Sequence, residues 1–226
     1  MTMDKALLEY LSGYLTSNRL ELFDKILSMR TRYLTVVLED IYQPQNASAV
    51  LRTCDCFGIQ DVHIIENRNE FTVNREVALG SSKWLTLKKY TEKKQNSLDA
   101  IRQLKMNGYR IVATTPHTND LELQDFDLTK GKTALVFGSE LPGITDTVQN
   151  EADEFLKIPM YGFTESFNIS VSAAIILHHL SQKMRENKSI DWKLSDTEKE
   201  EIKLAWIRKS IKRCDLIEKR FLKGKI

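Results

Sequence analysis

Residues Ile158–Leu180 read IPMYGFTESFNISVSAAIILHHL, and the reading of the whole chain turns on them. A polar, glycine-containing loop follows the short apolar run Phe155–Ile158 and enters a helix built from Ile169, Val171, Ala173, Ala174, Ile175, Ile176 and Leu177. A helix that is apolar around most of its circumference must be covered around most of it, so it is either central or an interface. Its first turn nevertheless carries Ser166, Asn168, Ser170 and Ser172. Polar groups are costly in an otherwise dry region unless they are hydrogen-bonded. Two uses fit: Ser166 or Asn168 caps the helix, or the free N–H groups of the helix start receive anionic ligand atoms. The stretch alone leaves both open.

Upstream, short apolar runs alternate with helical patterns. Strands are expected at Leu34–Leu38, Val62–Ile65, Trp84–Lys88, Ile111–Thr114, Ala134–Phe137 and Phe155–Ile158. Helices are expected at Ala47–Phe57, closed by Gly58, at Ser97–Met106, closed by Gly108, and at Thr145–Ala152. That alternation predicts an α/β fold around a mostly parallel sheet. Two short amphipathic helices are expected in residues 4–29. A single long helix is expected at the other end, opened by the capping box Ser195–Glu198. The organisation read from this pattern is a helical extension over 1–30, a sheet domain over 31–187 and a basic C-terminal helix over 188–226.

The 226 residues are 42% hydrophobic and 28% charged, the composition of an ordinary globular protein. No signal pattern is seen, and the longest apolar run ends at His178 and His179, too short for a bilayer. Cys54, Cys56 and Cys214 make no disulfide framework. The four histidines do not cluster with carboxylates at ligand spacing. A reduced, cytoplasmic, metal-free protein is therefore expected. The net charge of +2 is unevenly placed. From Lys203 onward, Arg208, Lys209, Lys212, Arg213, Lys219, Arg220, Lys223 and Lys225 face only Asp215 and Glu218, the footprint of a polyanion binder or of a solvated helix face.

In an open parallel sheet, ligands bind beyond the carboxyl ends of the strands. Three loops qualify. The first is Gln43–Arg52, QPQNASAVLR, in which Asn46 is placed to cap a helix; Ser48, Arg52 and Asp55 share a polar face on which Arg52 and Asp55 would pair. The second is Phe137–Ile144, FGSELPGI, in which Gly138 and Gly143 permit close backbone approach and Glu140 is either solvated or functional. The third is the stretch quoted above. None has the spacing of a dinucleotide fingerprint or a P-loop, so neither a nicotinamide enzyme nor an NTPase is supported.

Taken together and in order, NASAVLR, FGSELPGI and IPMYGFTESFNISVSAA resemble the three signature motifs of the SpoU (TrmH) family of RNA 2′-O-ribose methyltransferases. Within that family, Gly80-Ser81-Ser82-Lys83-Trp84 and the short helical N-terminus are similar to the group that methylates the D-loop guanosine at tRNA position 18. Two features depart from that group: Gln45 stands where the family has histidine, and Leu141-Pro142-Gly143 is a form also found in rRNA-acting members. A ribosomal RNA ribose and a non-catalytic RNA-binding role are the alternative readings.

The resemblance implies S-adenosylmethionine (SAM) as methyl donor, a homodimer, and a SPOUT-type, Rossmann-like sheet whose C-terminal segment forms a deep trefoil knot. It also implies a cofactor pocket at Thr114, Gly138, Ile158, Met160 and Phe167, with Asn46, Arg52, Glu140, Ser166 and Asn168 around the reacting hydroxyl. Arg52 would activate that 2′-OH. Because a guanidinium scarcely gives up a proton, stabilising the developing alkoxide or a neighbouring phosphate is the alternative role. RNA phosphates would meet Arg19, Arg30, Lys183, Arg185, Lys209, Lys212 and Arg213.

Overall fold

The computed structural model describes residues 3–93, 95–116 and 120–224; Lys225 of the basic tail lies outside them. The chain forms two compact units, Thr31–Trp192 and a second made of Met1–Arg30 with Lys193–Ile226.

Among the described residues, seven strands make the sheet of the first unit: β1 Leu34–Glu39, β2 Asp61–Ile65, β3 Thr86–Tyr90, β4 Arg110–Thr114, β5 Leu121–Glu122, β6 Thr133–Phe137 and β7 Glu154–Lys157. Every pairing is parallel, in the order β3-β2-β1-β6-β4-β7-β5. The expected α/β parallel architecture is present. All six residues of β1 and all five of β2 and β6 are buried, as strands covered on both faces must be.

Helices α3 (Pro44–Phe57) and α7 (Ile169–Glu186) cover one face, with the short α4 (Arg75–Ala78) packed on α3. There Leu34, Val36 and Leu38 of β1 pack with Val50, Leu51 and Cys54 of α3 and Ala173, Ile176 and Leu177 of α7. Helices α5 (Asn96–Met106) and α6 (Asp146–Glu151) cover the other, where Val37 meets Ala100, Ile101, Leu104 and Val148. The alternation along β1 thus sends even-numbered residues to the α3/α7 face and odd-numbered ones to the α5/α6 face. Gly58 stops α3 in the left-handed conformation at φ 78°.

Three expectations shift. Trp84 and Leu85 lie before β3 because Gly80, at φ 78°, starts a 3-10 turn over Ser81–Lys83 that uses up the expected strand start. Asn46 does not cap α3: the helix begins two residues earlier at Pro44, whose fixed φ suits a first turn, and Asn46 is buried inside it. The sheet unit also runs to Trp192 rather than to residue 187. The Trp192 carbonyl accepts from the Thr31 hydroxyl at 2.6 Å, and the Arg185 guanidinium lies 4.6 Å over the Trp192 ring. At the sheet edge, His63 and Tyr90 form a buried pair, Nδ1 to hydroxyl 2.9 Å. Burial, then the charge of Lys88, pulls the His63 pKa down to about 3.

The second unit is a bundle of α1 (Met3–Ser12), α2 (Ser17–Leu27), α8 (Asp196–Ser210) and α9 (Cys214–Lys223). Here α1 packs on α8 and α9, and α2 packs on α8. Phe23 of α2 meets Trp206 of α8 edge-on at 5.5 Å. The capping box at Ser195 and Glu198 forms as expected. The expected single C-terminal helix is two helices, because Ile211 turns extended and Arg213 adopts φ 54°. Lys212 and Arg213 therefore stand on a connection rather than on a helix face.

Candidate active site

The strand order reverses beside β1: β2 and β3 follow on one side, while β6, β4 and β7 lie on the other. A crevice at the carboxyl ends of the strands is expected at such a point. It is present as a cleft of about 600 Å³. Its walls come from the ends of β4 (Thr114, Thr115, Pro116), β6 (Phe137 to Gly143) and β7 (Leu156, Ile158, Met160), with Gln43 and Asn46 of the first loop and Ser166 to Ile169, Ser172 and Ile176 of the third.

The Asn46 side chain joins the three sequence motifs. Its amide nitrogen donates to Glu140 Oε1 at 2.7 Å and to Gln43 Oε1 at 3.2 Å. Its carbonyl oxygen accepts from Asn168 Nδ2 at 3.1 Å. Glu140 Oε2 also accepts from the Tyr42 N–H at 3.4 Å. A hydrogen bond to a carboxylate is worth about 1.5–3 kcal/mol when both partners are held, so this junction fixes the position of Glu140 on an otherwise exposed turn. Asn168 works in two directions. Its Oδ1 caps α7 by accepting from Ser170 N at 2.9 Å and Ser170 Oγ at 2.7 Å, while its amide reaches Asn46. The capping expected of Asn168 and its place in the cleft are thus both met by one side chain.

The turn after β6 closes on itself. Ser139 and Gly143 exchange N–H···O=C bonds of 3.0 Å each, and Gly143 stands at φ 71°. A Cβ on Gly138 would overlap the backbone of Gly143 and Ile144, so only glycine lets the turn fold back over the end of β6. Thr114 at the end of β4 is tied down by its hydroxyl, which donates to the Val136 carbonyl at 2.9 Å.

Thr114, Gly138, Ile158, Met160 and Phe167 all line this one cleft, as do Asn46, Glu140, Ser166 and Asn168. Arg52 does not. It is exposed on α3, six residues beyond Asn46, which is about 9 Å along the helix. It makes no hydrogen bond or ion pair among the described residues, so the expected pairing with Asp55 is not formed, and Asp55 interacts elsewhere. Ser48 is buried rather than on a polar face, with its hydroxyl accepting from Asn74 N at 2.8 Å.

Three cations expected at a phosphate surface are engaged by the protein itself. Lys183 Nζ donates to the carbonyls of Phe126 at 2.6 Å and Gln124 at 3.2 Å. Arg185 donates to the Phe57 carbonyl at 2.9 Å, and burial lowers its pKa. Arg30 is 3% exposed beneath Trp206. Arg19, Lys209, Lys212 and Arg213 are exposed. Lining residues that the motifs did not single out, such as Thr115, Leu156 and Ile176, come from strand ends and from the inward face of α7, whose apolar character gives no sign of a cleft.

The chain matches the SpoU rRNA Methylase family over residues 33–178. The chain belongs to that family. It is 44% identical over 208 residues to a tRNA (guanosine(18)-2′-O)-methyltransferase of Borreliella burgdorferi, covering 92% of this chain and 93% of that one. A protein of the same designation from Thermus thermophilus is 33% identical over 195 residues, covering 86% and 98%. The crystal structure of the A. aeolicus TrmH/SpoU tRNA modifying enzyme superposes with a TM-score of 0.76 at 28% identity, covering 86% of this chain and 97% of that one.

The contrast between two glycines tests the cleft geometry. Gly138→Ala should destabilise the protein by about 1–3 kcal/mol in denaturant unfolding, as overpacking does. Gly162→Ala in the third loop, where a Cβ would meet only Thr164 N at 4.0 Å, should stay within about 0.5 kcal/mol of the parent. Equal tolerance at both positions would contradict the closed turn.

Proposed function

We propose that this protein transfers the methyl group of SAM to the ribose 2′-OH of the guanosine at position 18 in the tRNA D-loop, acting in the cytoplasm. The observation that carries the reading is that the three motifs converge on one cleft through Asn46, in a chain 44% identical to a relative named for that reaction. The cleft fits the donor. Its volume lies within the roughly 300–1,000 Å³ of small-molecule sites. Backbone at Gly138 and Thr114 lies beside apolar Leu156, Ile158, Met160, Phe167 and Ile176, a lining suited to an adenine ring whose edge is read by main-chain groups. The family's deep trefoil knot, over the segment from β7 into α7, is part of the same reading.

Bound SAM supplies a methyl carbon that is already electrophilic at its sulfonium. The acceptor hydroxyl, barely ionised near neutral pH, is where the protein must act, by orienting it and by stabilising the charge it develops. Asn46 holds Glu140 at the cleft, and Ser166 and Asn168 line the same cleft. Arg52 lies on α3 outside the cleft, where its guanidinium suits the phosphate next to the target ribose. Arg19, Lys209, Lys212 and Arg213 are exposed and are the candidates for more distant phosphates.

The same reading includes a homodimer. On α7, Val171 is 43% exposed, Ala174 and Ile175 are half-buried and His178 is exposed, a stripe at i, i+3, i+4 and i+7 that the first unit leaves uncovered. Leu141, Tyr161 and Phe163 in the cleft loops are also exposed. Ala173 and Ile176 are buried inside the sheet unit, so substitutions there report on folding rather than assembly.

Incubation with methyl-labelled SAM and either total tRNA or ribosomal RNA, followed by nucleoside mapping, tests the activity. Label is expected in 2′-O-methylguanosine at position 18 of tRNA; label confined to ribosomal RNA, or none, would overturn the assignment. In the same assay Arg52→Ala should lose about 10²–10³-fold in turnover with SAM affinity unchanged. Val171→Glu should give a folded protein of half the parental mass by light scattering, and a parental mass that is already monomeric would refute the dimer.

A further inference from the structure

Glu39 is a carboxylate at the carboxyl end of the buried strand β1, with no exposed surface. Ile65 of β2 pairs with it on one side, while the pairing with β6 ends one residue earlier at Leu38 and Phe137, where the chain turns into the Phe137–Ile144 loop. A buried carboxylate is costly unless it is hydrogen-bonded, so the groups it bonds give the reason for a glutamate here. Oε1 accepts from the Thr145 hydroxyl at 2.8 Å and from the Ser97 hydroxyl, and Oε2 accepts from the Thr145 N–H at 2.9 Å.

Thr145 is the residue on which the Phe137–Ile144 turn ends. It is also the N-cap of α6, where its hydroxyl accepts from Val148 N at 3.4 Å while donating to Glu39. Glu39 lies on the α5/α6 face of the sheet, as its odd position on β1 dictates. Asn46 holds the same turn from the α3/α7 face through Glu140. The cleft-lining turn is therefore gripped from both faces of the sheet, at its middle by an amide and at its end by a buried carboxylate.

We infer that Glu39 is a positioning residue that sets the cofactor-facing turn 138–144 through Thr145. The inference rests on the SAM reading above. Ser97 supplies the control, since its hydroxyl donates to the same oxygen from α5, away from the turn, and is itself braced by Asn67 Nδ2 at 2.8 Å. Thr145→Val and Ser97→Ala each delete one hydrogen bond to Oε1, yet only the first loosens the turn.

Amide hydrogen exchange of the ligand-free protein should rise roughly tenfold at the hydrogen-bonded Ser139 and Gly143 amides in Thr145→Val, and SAM affinity by calorimetry should fall by about the same factor, the size of one hydrogen bond to a charged group. Ser97→Ala should leave both within about twofold. Glu39→Gln should follow Thr145→Val, because an amide cannot accept from both Thr145 groups and Ser97 at once. If the glutamine variant does not fold, the two hydroxyl deletions still decide. Equal responses of Thr145→Val and Ser97→Ala, or no response of either, would overturn the role of Glu39. A parental protein that bound no SAM would instead remove the proposed donor, while the exchange comparison would still decide how the turn is held.

Discussion

One side-chain amide holds the candidate site together. Asn46 donates to Glu140 and accepts from Asn168, so the loops after β1, β6 and β7 meet on a single group with one acceptor and two donors. No other residue of that size does both. Aspartate would face Glu140 with a like charge, and leucine would leave the Asn168 amide and the Glu140 carboxylate without their partner. Because Asn46 is buried within a helix, its own position is set by the packing of Ala47, Val50 and Leu51 below it. The polar junction therefore inherits the rigidity of the core.

The sheet explains why these loops are neighbours. Parallel strands place every strand-to-helix loop at one edge, and the order β1-β6-β4-β7 brings the three motif loops side by side although they lie far apart in sequence. The glycine at 138 then allows the middle loop to fold over the strand end, where a side chain would collide with Gly143 and Ile144. Strand order and one missing Cβ thus bring the loops close enough for Asn46 to join them.

Most of the sheet could be read from the sequence because its central strands are buried on both faces and appear as unbroken apolar runs. Where that signal failed, the reasons are physical. β5 has two residues and the helix at Arg75–Ala78 has four, too short for any periodicity. The start of β3 was displaced by a turn that Gly80 initiates. The break between α8 and α9 rests on a left-handed Arg213, which side-chain type does not announce. At the site, the motif residues other than Arg52 line one cleft, and Asn46 proved to be a junction rather than a cap because Pro44 already starts the helix. Arg30, Lys183 and Arg185 read as free cations in sequence, yet each lies against an aromatic ring or backbone carbonyls. Charge is visible in a sequence, but its partners are not.

The central claim is that the three loops act as one unit through Asn46. A double-mutant cycle on Asn46→Ala and Glu140→Ala, measured as kcat/KM for methyl transfer to tRNA, tests it most directly. The account predicts a coupling of about 1–3 kcal/mol, so that the second substitution costs little once the first is made. Losses that add to within about 0.5 kcal/mol would mean that the two residues work independently, and would contradict the junction.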